Sequence, residues 1–221
     1  KGSQVKSIKA VREITADKFY DALSMCVETF NSNNKTLSMS PRNEDIFYTE
    51  ESNLGSCESI SEPNTPGWAG ILLEMMAGTY KGTTNKIYKA LNFNNFILNP
   101  QFYNNDAGTS NIFYTGSDGE KASTYYDEGA RKQLEYLKLI KKNWKGKGAP
   151  DINIGVLGAT KLGNADSAPG LYPSFKSYDV PINGVRAVYD QINKDIGGGI
   201  DGVMSWAMNI GYNNGSFGAA S

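Results

Sequence analysis

Four apolar segments recur along the chain with helical patterns between them, and this alternation limits the possible folds more than any other feature. KTLSMSP (35–41), the run inside NFNNFILNPQFYNND (92–106), INIGVLGAT (152–160) and IDGVMSWAM (200–208) read as strands. They begin near residues 36, 95, 152 and 200. A helical pattern at 15–31 (TADKFYDALSMCVETFN) carries Phe19, Leu23, Cys26, Val27 and Phe30 at helical spacing, with Thr15 placed to cap it. Further helices are predicted at 67–78, 86–91, 127–144 and 183–195. Polar stretches at 42–66, 105–124 and 161–181 follow strands and read as long surface loops. Strands that alternate with helices imply an α/β fold whose parallel sheet is covered on both faces. Loops gathered at the carboxyl ends of such strands are where α/β folds carry their sites. A doubly wound sheet and a barrel both satisfy this pattern.

At 221 residues and 39% hydrophobic content the chain can bury one sizeable core, and it is read as a single domain over 1–221. A net charge of −1 leaves no electrostatic footprint for nucleic acid. No apolar run reaches the roughly 18 residues a membrane span needs, and no leader pattern opens at Lys1. The absence of histidine excludes Ser-His-Asp and Cys-His catalysis and His-bound zinc within the chain. Acid–base chemistry then falls to carboxylates, Tyr or Lys. Cys26 reads as a small buried residue of its helix, and Cys57 lies in a polar loop.

Gly197-Gly198-Gly199-Ile200-Asp201-Gly202 matches the dinucleotide fingerprint in letters only. That fingerprint requires glycines after a strand and at the opening of a helix. Here they follow a helical pattern and precede a strand, which makes them a helix stop and a tight turn. No cofactor or metal site is predicted.

The second strand ends unusually. Its apolar run (Phe93, Phe96, Ile97, Leu98) gives way to Gln101, Tyr103, Asn104, Asn105 and Asp106. Alternation places Gln101 and Tyr103 on one face and Phe102 on the other. Two hydrogen-bonding groups directed off one strand end suggest a site, although a strand-end tyrosine capped by a backbone group is the simpler reading. Asp106 reads as a solvated loop residue. The acidic run Glu44, Asp45, Glu50 and Glu51 reads as a solvated face.

Taken in order, LSMSPR (37–42), NPQFYNND (99–106), INIGVLGAT (152–160) and GVMSWAMN (202–209) resemble the second half of glycoside hydrolase family 18. That family comprises the chitinases and related endo-N-acetylglucosaminidases. The resemblance spans roughly residues 15–210 and implies strands five to eight of a (β/α)8 TIM-type barrel. The family signature D-G-x-D-x-D-x-E, which carries the catalytic acid on strand four, is absent. Arg42 stands where the family usually has an acidic residue or Gln, and Gly158 stands where Pro is common. The resemblance therefore implies a barrel completed by another chain or segment that supplies strands one to four with the catalytic Glu.

Family 18 hydrolysis is substrate-assisted: the 2-acetamido carbonyl of the sugar attacks its own anomeric carbon while a Glu protonates the leaving oxygen. The resemblance gives Tyr103 the catalytic role of orienting that carbonyl. It gives Gln101 and Asn104 contacts to neighbouring sugar groups and Trp206 the floor under the sugar. Met39 and Met204 would wall the acetamido pocket together. The implied substrate is chitin or another N-acetylglucosamine-containing glycan, the implied location extracellular. The isolated chain is expected to be inactive. A non-catalytic sugar-binding lectin or scaffold on the same barrel is the alternative, followed by an unrelated small-molecule enzyme on a doubly wound sheet.

Overall fold

The computed structural model describes residues 2–48, 64–83, 85–102, 112–115, 123–126, 128–157 and 182–206. Within them a long helix α1 (Gly2–Ser32) precedes β1 (Leu37–Met39), α2 (Asn43–Ile46), β2 (Phe47–Tyr48), β3 (Thr65–Pro66) and α3 (Trp68–Ala77). There follow β4 (Phe96–Leu98), β5 (Ile112–Thr115), β6 (Ser123–Tyr126), α4 (Glu128–Lys142), β7 (Asp151–Leu157), α5 (Ile182–Asp195) and β8 (Gly202–Trp206). The four strands expected from the apolar pattern form one parallel sheet in the order β1-β4-β7-β8.

That order decides where the helices go. A doubly wound sheet reverses its strand order at a switch point, and these strands run without reversal. Three successive crossovers of the usual right-handed sense place α3, α4 and α5 in one layer. Phe96, Leu98, Phe102, Ile152, Ile154 and Val156 point into that layer, each at most 3% exposed. They meet Leu72, Leu73 and Met76 of α3, Leu134 and Leu137 of α4, and Val188 and Ile192 of α5 in a single apolar core. The expected cover on both faces is not found among the described residues. Residues 151–157 alternate rather than running apolar, so Asn153 and Gly155 turn away from the helices.

Local chemistry explains the elements. α3 is buried nearly all round, as its apolar sequence requires, because α1 packs against it. α1 is longer than the pattern predicts. No proline interrupts residues 2–14, and Thr15, expected as the cap, lies mid-helix with its hydroxyl donating to the Val11 carbonyl at 2.8 Å. The helix stops at Asn34, in the left-handed region at φ 49°. The Lys35 N–H returns to the Phe30 carbonyl and the Asn34 N–H to that of Asn31, a paired C-terminal closure. Gly197, Gly198 and Gly199 all have positive φ directly after α5, which is the turn that the fingerprint was rejected for.

Four sequence expectations are corrected. No helix forms at 86–91; the segment is extended and fixed to α1 by Lys86, which pairs with Asp17 and Asp21, and by Tyr20, whose hydroxyl donates to the Lys89 carbonyl. The polar stretch 42–66 is not all surface loop. Asn43, Glu44, Ile46 and Tyr48 are buried, and β2 pairs with β3. Within 105–124, Ile112–Thr115 pairs antiparallel with β6, consistent with its β-branched and aromatic residues. Cys26 is also an exposed free thiol rather than a core residue, because Leu23, Val27 and Phe30 already fill the inward face of α1. The loop expected at 161–181 lies outside the described residues.

Candidate functional site

Register organises the face of the sheet turned away from the helices. Extending the pairings gives two successive rows across it: Ser40, Asn99, Asn153 and Gly202, then Arg42, Gln101, Gly155 and Met204. The first row is a polar tie. Asn99, 8% exposed, donates to the Ser38 hydroxyl at 3.2 Å and accepts from the Asn153 amide at 2.9 Å, so three strands share one network. Gly202 leaves room for this tie, because an added Cβ would lie 2.6 Å from Asn153 Oδ1 and the amide would have to shift.

The second row stands at the carboxyl ends of the strands. The Gln101 backbone bridges Arg42 on one side and Gly155 on the other. Its N–H donates to the Pro41 carbonyl at 3.0 Å, and its side-chain amide donates to the Ser40 carbonyl at 2.8 Å. The side chain is thereby fixed along the end of β1. Gly155 sits at a close approach: an added Cβ would lie 2.4 Å from the Pro100 carbonyl oxygen and 3.1 Å from the Met204 methyl. The missing side chain lets Met204 lie towards Gln101.

Arg42 adds a charge to this row. Its guanidinium pairs with Glu44 at 2.5 Å, with the arginine half-exposed and the carboxylate buried. Glu44 is therefore not part of a solvated face. Asp45 is not one either: burial pushes its carboxyl above the usual range, opposed by Arg42 and by a hydrogen bond with Trp68. Glu50 and Glu51 lie outside the described residues.

The predicted site residues divide accordingly. Gln101 and Met204 come together around Gly155. Met39 does not join them, because alternation turns it to the helix side, where it packs against the core. The paired methionine wall is thus not formed. Trp206 closes β8 in register with Leu157. Tyr103, Asn104 and Asp106 lie outside the described residues. Phe102 is fully buried on the opposite face, as the alternation requires.

Sequence reasoning missed a second polar constellation. A cleft of about 330 Å³ between α1 and α3 is lined by Lys9, Arg12, Glu13, Glu74, Tyr80 and Thr83, among others. Glu13, 6% exposed, accepts from the Tyr80 hydroxyl at 2.5 Å and from the Thr83 hydroxyl at 2.6 Å. Burial works against its charge, yet these bonds prevail and hold its carboxyl below the usual range. Burial pushes Glu74 up instead, opposed by the Tyr136 hydroxyl, which donates to it at 2.8 Å. These residues are more than 60 positions apart, so no local pattern could have joined them. Among the described residues no cluster of His, Cys, Asp and Glu has metal-binding geometry, and no helix is long and apolar enough to cross a membrane.

No known protein family, curated protein or solved structure matches the chain.

Proposed function

We propose that the chain is the carboxyl-terminal part of a chitinase-type glycosidase barrel, acting on N-acetylglucosamine polymers outside the cell. The observation that supports this most is the order of the strand ends. The motifs at 37–42, 99–106, 152–160 and 202–209 belong to four neighbouring parallel strands, in the sequence in which a singly wound barrel would hold them. Gln101 and Met204, named from the resemblance, stand in one row at the carboxyl ends. Tyr103 would follow Gln101 on that face and orient the attacking acetamido group. Gln101 and Asn104 would hold the sugar, and Trp206 would support it from below.

In the described part of the second row no residue is a carboxylate; Arg42, Gln101, Gly155 and Met204 fill it. On this reading the leaving-group acid is supplied by strands outside this sequence, and a completing half that lacks that acid would make the protein a lectin. Tyr103→Phe in the completed barrel tests the catalytic reading. A donor that strengthens towards the transition state should lower kcat about a hundredfold, ~3 kcal/mol, with little change in KM. Normal turnover in a well-folded Phe variant would remove Tyr103 from the mechanism.

A further inference from the structure

The cleft between α1 and α3 is lined by charges of both signs that do not pair with one another. Lys9, Arg12 and Glu13 stand three and four positions apart, so they share one side of α1 and line the cleft together. Across from them, Gly78 closes α3 in the left-handed region, and the Thr79 and Tyr80 N–H groups return to the Glu74 carbonyl. That turn carries the chain back to α1, where Tyr80 and Thr83 bond Glu13 and Lys81 joins the lining. Among the described residues, Lys9, Arg12 and Lys81 form no ion pair and donate no side-chain hydrogen bond. Arg12 is nonetheless held, its guanidinium 4.2 Å over the Tyr48 ring, which leaves its forked N–H donors for an anion. Glu74 is the opposite case. It is half-buried, and no described cation pairs with it. A carboxylate withdrawn from water without a countercharge is unfavourable. It accepts at about four sites, and the Tyr136 hydroxyl fills one of them.

We propose that this cleft binds a small zwitterion of the free amino-acid class, with its carboxylate on Arg12 and its ammonium on Glu74. The lining selects this ligand. A plain anion would suit Arg12, Lys9 and Lys81 but would face Glu13, which the Tyr80 and Thr83 hydroxyls hold in its ionised form. A plain cation would suit the carboxylates but would face the three basic residues. A zwitterion supplies both missing partners at once. Glu13 already has a donor on each oxygen, so Glu74 is the more open carboxylate for the ammonium. At the ~30 Å³ that a water-sized group occupies in a liquid, the cavity of about 330 Å³ holds about ten non-hydrogen atoms. That is an amino acid rather than an oligosaccharide. Pro66, Ile71 and Tyr80 add apolar surface to the lining, which favours a side chain such as that of leucine, methionine or phenylalanine. Since α3 belongs to the helix layer, the cleft is separate from the second row, and the inference does not depend on glycosidase chemistry.

Calorimetric titration of the full-length polypeptide with L-leucine, L-methionine and L-phenylalanine tests this. At least one should bind saturably and raise the melting temperature. For leucine, isoamylamine lacks the carboxylate and isocaproate lacks the ammonium, and each should bind at least about tenfold more weakly than the amino acid. Arg12→Gln should weaken leucine about tenfold and abolish its advantage over isoamylamine. Glu74→Gln should weaken it similarly and abolish its advantage over isocaproate; this variant keeps an acceptor for Tyr136, and its melting temperature confirms that it is folded. Arg186→Gln, on exposed α5, should leave binding unchanged. Failure of all three amino acids to bind would overturn the proposal. Isocaproate binding as tightly as leucine would overturn it as well, because the cleft would then be a simple anion site. So would unchanged leucine affinity in the folded Arg12 or Glu74 variant. Hydrolysis of a chitooligosaccharide is assayed separately and bears on the glycosidase alone.

Discussion

Gly155 carries the tightest constraint in the second row. A Cβ there meets the Pro100 carbonyl oxygen, a backbone atom held by the Gly155 N–H itself at 2.9 Å, so it cannot move aside cheaply. Gly155→Ala should cost ~1–3 kcal/mol, as overpacked sites do. In a protein of this size that is a fall of roughly 2–4 °C in Tm for each kcal/mol, read by thermal denaturation. Glu74 makes a prediction of a different kind. Burial raises its folded pKa above the ordinary one, so the folded state holds the proton more tightly. Its contribution to stability is complete below the ordinary glutamate range and is lost as pH rises through the folded value. Glu74→Gln keeps an acceptor for the Tyr136 hydroxyl and removes the titration. The gap in Tm between the Gln variant and the parent should therefore widen in the variant's favour as pH increases from about 4 to 8. A gap that stays constant over that range would show that Glu74 is not the titrating group.

At the scale of elements, residues that answer to a single local rule were legible. α4 and α5 show clear helical periodicity, with Leu134, Leu137 and Ile140 or Val188 and Ile192 on the inward side, and both were found within a residue or two of their predicted bounds. The segment at 86–91 was misread because its order comes from partners on α1, more than 60 residues earlier in the chain. The buried Asn43 and Glu44 were missed for a different reason: polarity signalled a loop, but the neighbouring Arg42 pairs with Glu44 within the fold. The end of α1 shows a purely local rule at work. Asn34 holds φ 49°, a conformation most side chains resist and glycine accepts freely. Asn34→Ala should cost about 1 kcal/mol and Asn34→Gly nothing or less. Equal melting temperatures for the Ala and Gly variants would mean that the Schellman closure does not hold the end of α1.

At the scale of the whole molecule, the sheet has two outer edges, β1 and β8, that no other described strand covers. The face on which no described helix packs carries Ser40, Asn99, Asn153 and Gln101, a polar lining. The parallel order was legible from the alternation of strand and helix patterns. The candidate site was legible in part. Gln101 and Met204 follow from strand alternation, whereas the role of Arg42 depends on a pairing with Glu44 that spacing alone does not specify. These points lead to a prediction about the purified fragment. On the barrel reading, residues 1–221 alone should not hydrolyse a chitooligosaccharide, because the described part of the second row offers no acid, and strand edges that no described strand covers should make the chain associate as concentration rises. Adding the completing segment should suppress that association and, if the segment carries the acid, restore turnover. Light scattering and a reducing-sugar assay on the same samples separate the two effects. Turnover by the purified fragment would mean that an acid within these 221 residues had gone unrecognised. A fragment that stays monomeric at every concentration would mean that the edges are already protected by residues of its own.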